Sequence, residues 1–155
     1  MKSSDGTVSE ACLKQATDAW NSGLNQTVFR LVENDSPADA DVKMVEKIVP
    51  SDDLQGQIQA LTAPDGKITA KVFVCRQNEG QALSSSEVGE VLTHELGHMI
   101  GLDDAPDGVP AGEYIMSSFD PDHPVLRPSA EEVQAIEELR SRIKTQLSLM
   151  EETWY

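Results

Sequence analysis

The stretch His94-Glu95-Leu96-Gly97-His98-Met99-Ile100-Gly101-Leu102-Asp103-Asp104 decides how this chain is read. It closes an apolar helix pattern and holds two of the three histidines in the sequence. On a helix, His94 and His98 project from one face about one turn apart. Two imidazole nitrogens placed in this way can both reach one tetrahedral Zn²⁺ ion. Glu95 is the next residue along, and its carboxylate can take a proton from a water activated beside the metal. Gly101 lets the chain leave the helix sharply, because glycine tolerates the left-handed backbone found at helix ends. A third ligand has to come from beyond that turn, where Asp103 and Asp104 stand.

Upstream of the motif, Ser84-Ser85-Ser86-Glu87 has the form of a capping box, which predicts a helix from about Ser86 to Ile100. Val88, Val91, Leu92 and Met99 supply its buried stripe. Further back, Lys67–Cys75 is the strongest strand pattern in the chain, behind a turn at Ala63-Pro64-Asp65-Gly66. Weaker strand patterns cover Leu54–Leu61, Ala40–Glu46 and Val28–Val32. Thr7-Val8-Ser9-Glu10 resembles a capping box that opens a first helix. Cys12, Leu13, Ala16 and Trp20 recur at helical spacing within it, and Asn21-Ser22-Gly23 ends it.

Downstream, Asp103–Gly112 is rich in Asp, Pro and Gly and reads as a loop. Glu113–Ser118 returns apolar residues to the core. Ser129-Ala130-Glu131-Glu132 caps a last helix, with Val133, Ile136, Leu139, Ile143, Leu147 and Met150 on one face. The order predicts an α+β domain with a mostly single sheet covered by helices. Residues 141–155 are expected to pack back onto the domain, with pairing to a partner helix as the alternative.

The length of 155 residues suits one domain spanning 1–155. With 12 basic and 27 acidic residues the net charge is −15, which argues against nucleic acid or an anionic membrane as partner. No apolar run is long enough to span a bilayer, and the opening residues lack the apolar segment of a signal peptide. Cys12 and Cys75 stand outside any Cys-x-x-Cys pair, so a thiolate metal site is not expected. They can be buried thiols or one disulfide.

His94–Asp104 resembles the metzincin zinc-peptidase signature His-Glu-x-x-His-x-x-Gly-x-x-His, with Asp104 where the last histidine stands. Snapalysins, another metzincin group, carry aspartate at this place. The wider chain, over roughly residues 8–140, resembles a matrixin-type catalytic domain. Tyr114-Ile115-Met116 resembles the family's turn whose methionine lies beneath the zinc. Leu126–Val133 resembles the start of its closing helix.

The resemblance implies a metzincin-type α+β fold, with a mixed twisted sheet, an active-site helix and a C-terminal helix. It implies a monomeric zinc-dependent endopeptidase, secreted or extracytoplasmic. His94, His98 and Asp104 would hold one Zn²⁺, with Glu95 as general base and Met116 as an apolar floor. Asp103 and His123 remain other sources of the third ligand. A protein or peptide substrate would lie extended along an edge strand near Gln55–Thr62, with Ser117–Leu126 walling the pocket for the residue after the cut. Structural Ca²⁺, common in matrixins, is left unassigned because no calcium-loop motif is present. The other reading is a zinc-binding metzincin-like module without peptidase activity.

Overall fold

A computed structural model of the chain describes residues 10–30, 42–47, 56–62, 68–75, 77–78, 81–120 and 122–152. Among the strand residues, side chains are described for Gly56 and Gln57 alone, and those of 147–152 lie outside the description. The elements in order are α1 (Glu10–Gly23), β1 (Val42–Lys47), β2 (Gly56–Thr62), β3 (Ile68–Cys75), β4 (Gln77–Asn78), β5 (Gln81–Ala82), α2 (Ser85–Met99) and α3 (Ala130–Glu152). The Thr7–Ser9 part of the first expected cap and the turn at 63–66 lie outside the described residues.

The described core is helical. Cys12, Ala16 and Trp20 from α1 meet Val88, Val91, Leu92 and Leu96 from α2, and Ile115, Met116 and Ile136 close the cluster. Trp20 is fully buried, and its indole N–H donates to the Thr93 carbonyl at 2.7 Å. The indole thus brings apolar area into the core and spends its one polar group on the helix that carries the histidines. The capping expectations for α2 and α3 are realised in the same form. Ser84 and Glu87 exchange side-chain and backbone bonds at the start of α2, and Ser129 and Glu132 do so at the start of α3. Each pair satisfies amide groups that a helix start leaves open.

The strands form a small layer of order β1-β3-β2, with β4 and β5 as a separate two-stranded pair. β1 runs parallel to β3, in register from Val42↔Ala70 to Lys47↔Cys75. β2 runs antiparallel to β3, from Gly56↔Val74 to Thr62↔Ile68. β2 is therefore an outer strand, and its first residue touches α2.

This corrects the expected metzincin-type α+β fold built on a mixed twisted sheet. The described structure is mostly helical, with helices of 14, 15 and 23 residues, and its described core is drawn from helices and loops. Among the described side chains, the apolar stripes of the helices close on one another around Trp20 and Leu92. A second correction concerns Val28–Val32. Residues 28–30 form no strand, and 31–32 lie outside the described residues. The Asn21 side chain does the work of a neighbouring strand there. Its Oδ1 accepts from the Val28 and Phe29 amides at 2.8 and 3.0 Å, and its Nδ2 donates to the Phe29 carbonyl at 2.8 Å.

Of the C-terminal extension, residues 141–146 are exposed, Ile143 to 47%, and the side chains beyond them lie outside the description. No helix among the described residues is long and apolar enough to cross a membrane.

Candidate metal centre

α2 presents His94 and His98 as neighbours one turn apart, with ring centroids 4.8 Å apart and planes at 87°. Each ring is fixed by its Nδ1. His94 Nδ1 donates to the Ile115 carbonyl and His98 Nδ1 to the Leu102 carbonyl, both at 2.8 Å. A carbonyl oxygen can only accept, so Nδ1 carries the proton in each neutral ring. The lone pair then sits on Nε2, where a metal takes it. Burial holds the His94 pKa below the ordinary imidazole value, against the opposing Ile115 bond, which favours the neutral ring a metal needs.

The turn after α2 brings the third oxygen to the pair. Gly101 has φ +102°, and a Cβ there would come within 2.5 Å of Leu139 Cδ2. The position therefore needs glycine on both backbone and steric grounds. Leu102 N–H donates back to the Gly97 carbonyl at 3.1 Å, which turns the Leu102 carbonyl onto His98. Two residues later, Asp104 Oδ1 lies 3.2 Å from His94 Nε2 and 3.5 Å from His98 Nε2. Two atoms bound tetrahedrally to one zinc at ~2.0–2.2 Å lie roughly 3.3–3.6 Å apart. The three donor atoms all fall within 4.8 Å of one another.

His94, His98 and Asp104 thus form a group that can hold a metal ion. Among the described residues, neither Asp103 nor His123 joins such a group. Asp103 is exposed, and His123 Nδ1 pairs with Asp120 Oδ2 at 3.2 Å.

Glu95 projects from α2 beside this group and is 5% exposed. Burial pushes its pKa up to about 7; His98 pulls it down and Asp104 adds to the rise. A carboxylate poised near neutrality can take up and return a proton. The start of β2 covers it: a Cβ on Gly56 would collide with Glu95 Oε1 and lie 2.7 Å from Val91 Cγ1. Gly56 is the sole described strand residue shown against the site, and its sequence setting announces nothing of this.

Met116 lies under the helix, 3% exposed. A Cβ on Gly97 would run into its Sδ and come within 3.0 Å of Trp20 Cζ2. The glycine between the histidines is thus where methionine and indole approach the helix backbone. Met116 also ties three segments together. Its carbonyl accepts from Ala105 N–H at 2.7 Å, next to Asp104, and its amide donates to Glu132 Oε1 at 2.9 Å, on α3. Glu132 is visible in the sequence as part of a helix cap. Its second bond, to the methionine turn, has no local signature.

No protein-family model matches the chain, and no curated protein matches it.

Proposed function

We propose that the protein is a zinc-dependent endopeptidase, with His94, His98 and Asp104 as metal ligands and Glu95 as general base. The observation that carries this reading is the convergence of two Nε2 lone pairs, each selected by an Nδ1–carbonyl bond, on one carboxylate oxygen. A two-imidazole, one-carboxylate donor set with an open fourth position suits catalytic Zn²⁺. Zinc bound there supplies a Lewis acid that acidifies water and polarises a peptide carbonyl.

The chain's own groups do the rest. Glu95 takes the proton of the attacking water and returns it to the leaving amine, a role supported by its burial beside the metal group. Gly56 leaves room for that carboxylate at the start of β2. β2 is the outer strand among the described strands of its sheet, and such an edge can pair with an extended substrate peptide. This supports substrate binding along Gly56–Thr62; Gln55 lies outside the described residues. The resemblance to metzincin sites rests on His94–Asp104 and Met116, and the peptidase reading does not depend on a metzincin-type fold.

The test is a fluorogenic peptide library with protein purified without an affinity tag, run with zinc and with chelator, together with metal analysis. Cleavage that chelator abolishes, and that Glu95→Ala removes while stoichiometric zinc remains, is the expected result. Near-normal cleavage by Glu95→Ala rejects the mechanism. Bound zinc without cleavage of any peptide would make the protein a zinc-binding module instead.

A further inference from the structure

Glu90 is a buried acid that the proposed chemistry does not use. It lies on α2 and is 4% exposed, and Val88, Val91 and Leu92 of the same helix are buried as well. Oε1 accepts the Val125 N–H at 2.9 Å, whereas Oε2 is enclosed without a hydrogen-bond partner. One donor for two buried oxygens leaves an ionised carboxylate poorly solvated, and a neutral carboxyl group suffers much less.

The charges around Glu90 oppose ionisation further. Among the described residues they are Glu87 on α2 and Asp120 on the chain that comes back to the helix at Val125, and both are acids. Asp120 stays ionised, because the Asp122 N–H at 2.9 Å and His123 hold its carboxyl below the ordinary value. Burial and the two acids outweigh the Val125 bond and push the Glu90 pKa up to about 7. The charged groups acting on His94 are His98 and Asp104, so the Glu90–Val125 contact stands apart from the metal group.

The two sides of this contact are unequally held. α2 starts in the Ser84–Glu87 capping box and receives the Trp20 indole bond on its Thr93 carbonyl. Val125 follows a proline and only half-buries its side chain against the core, and Asp122, His123 and Arg127 near it are exposed. When Glu90 takes a charge, releasing Val125 admits water to both oxygens, whereas moving α2 would break the core.

We infer that the Glu90–Val125 contact is a pH-sensitive latch, closed while Glu90 is neutral and released when the acid ionises. This goes beyond the peptidase reading and does not depend on it. Release returns Glu90 to water and to an ordinary value of 4.5, so between 4.5 and about 7 it frees a proton. Release therefore becomes easier as pH rises through that window, and the effect levels off above it, where Glu90 is ionised in both states.

Amide hydrogen exchange in the full chain, compared at each pH with Glu90→Gln, reads the latch. Glu90→Gln keeps a carbonyl oxygen for Val125 and does not titrate, and the comparison cancels the intrinsic pH dependence of exchange. The ratio of parent to variant exchange at Val125 is expected to rise about tenfold or more between pH 4.5 and 7. In the parent, Val125 should also exchange faster than the Leu92 amide in the middle of α2. A ratio that does not change with pH overturns the latch. Val125 exchange that matches Leu92 at every pH overturns it too, because the whole domain then opens at once. If Glu90→Gln does not fold, the Glu90 carboxyl carbon is followed by NMR in the parent, beside the Val125–Leu92 comparison. A midpoint near 7 supports the latch, and one near the ordinary 4.5 overturns it.

Discussion

Glu132 accepts the Met116 amide through Oε1 and the Ser129 amide through Oε2, so one carboxylate both caps α3 and suspends the turn beneath the histidines. Glu132→Ala leaves the buried Met116 N–H unmatched and removes the cap together. The expected loss of stability is about 2–3 kcal/mol, read from urea or thermal unfolding. A value near zero would mean that neither bond matters to the fold.

Gly97 should not tolerate a side chain. Met116 can move its flexible end, but the Trp20 ring cannot, because it is fully buried and bonded to Thr93. Gly97→Ala is expected to cost roughly 1–3 kcal/mol by overpacking. It should also weaken zinc binding, because the added methyl displaces the floor under the two imidazoles. Calorimetric titration of the metal-free variant with zinc measures this.

Gly56→Ala tests the contact between β2 and Glu95, the proposed general base. The new methyl would occupy the space of Glu95 Oε1 and press on Val91. Peptide cleavage should fall about tenfold or more, with zinc still bound, because a displaced base loses its proton-transfer geometry. Unchanged kcat/KM would show that Glu95 works from another position.

Asp104 and Asp103 are adjacent in sequence but unequal in space. Asp104→Ala should weaken zinc binding about tenfold or more, since it removes a ligand oxygen, while Asp103→Ala should leave it near the parent value. A competitive chelator titration separates the two. Equal losses in both variants would assign the third ligand elsewhere.

Glu90 gives the metal-free protein a pH signature. Burial pushes its carboxyl pKa up to about 7 from an ordinary value of 4.5, partly opposed by the Val125 N–H. Between those values the folded state binds more protons than the unfolded state, so this contribution is complete at low pH and declines as pH rises. Relative to Glu90→Gln, which does not titrate, the parent should lose about 1–3 kcal/mol between pH 4.5 and 7. Taking the difference between the two proteins removes the opposing effect of His94, whose depressed pKa favours the folded state as pH rises. A parent that gains stability relative to the variant over this range would contradict the assignment.

Much of the candidate metal centre was legible in the sequence because its signals are local. The spacing of His94 and His98, the glycine bend at Gly101 and the Ser/Glu caps of α2 and α3 are properties of one helix and its ends. Strand segments near 42–47, 56–62 and 68–75 were likewise readable from alternation. The apolar pattern alone could not say which helix faces would meet around Trp20 and Leu92. Val28–Arg30 looks like a strand in composition, yet Asn21 captures its backbone groups first.

By itself, the sequence determined that two imidazoles share a helix face, with an acid between them and a bend after them. Only the packing of the elements brings the Asp104 oxygen over the imidazoles, aims the carbonyls that fix their tautomers, and sets Gly56 against Glu95, Glu90 against Val125 and Glu132 against Met116. The reason is sequence separation: Glu90 meets Val125 across 35 residues and Glu132 meets Met116 across 16. Those contacts come from how the elements pack, and no local preference or hydropathy period encodes them.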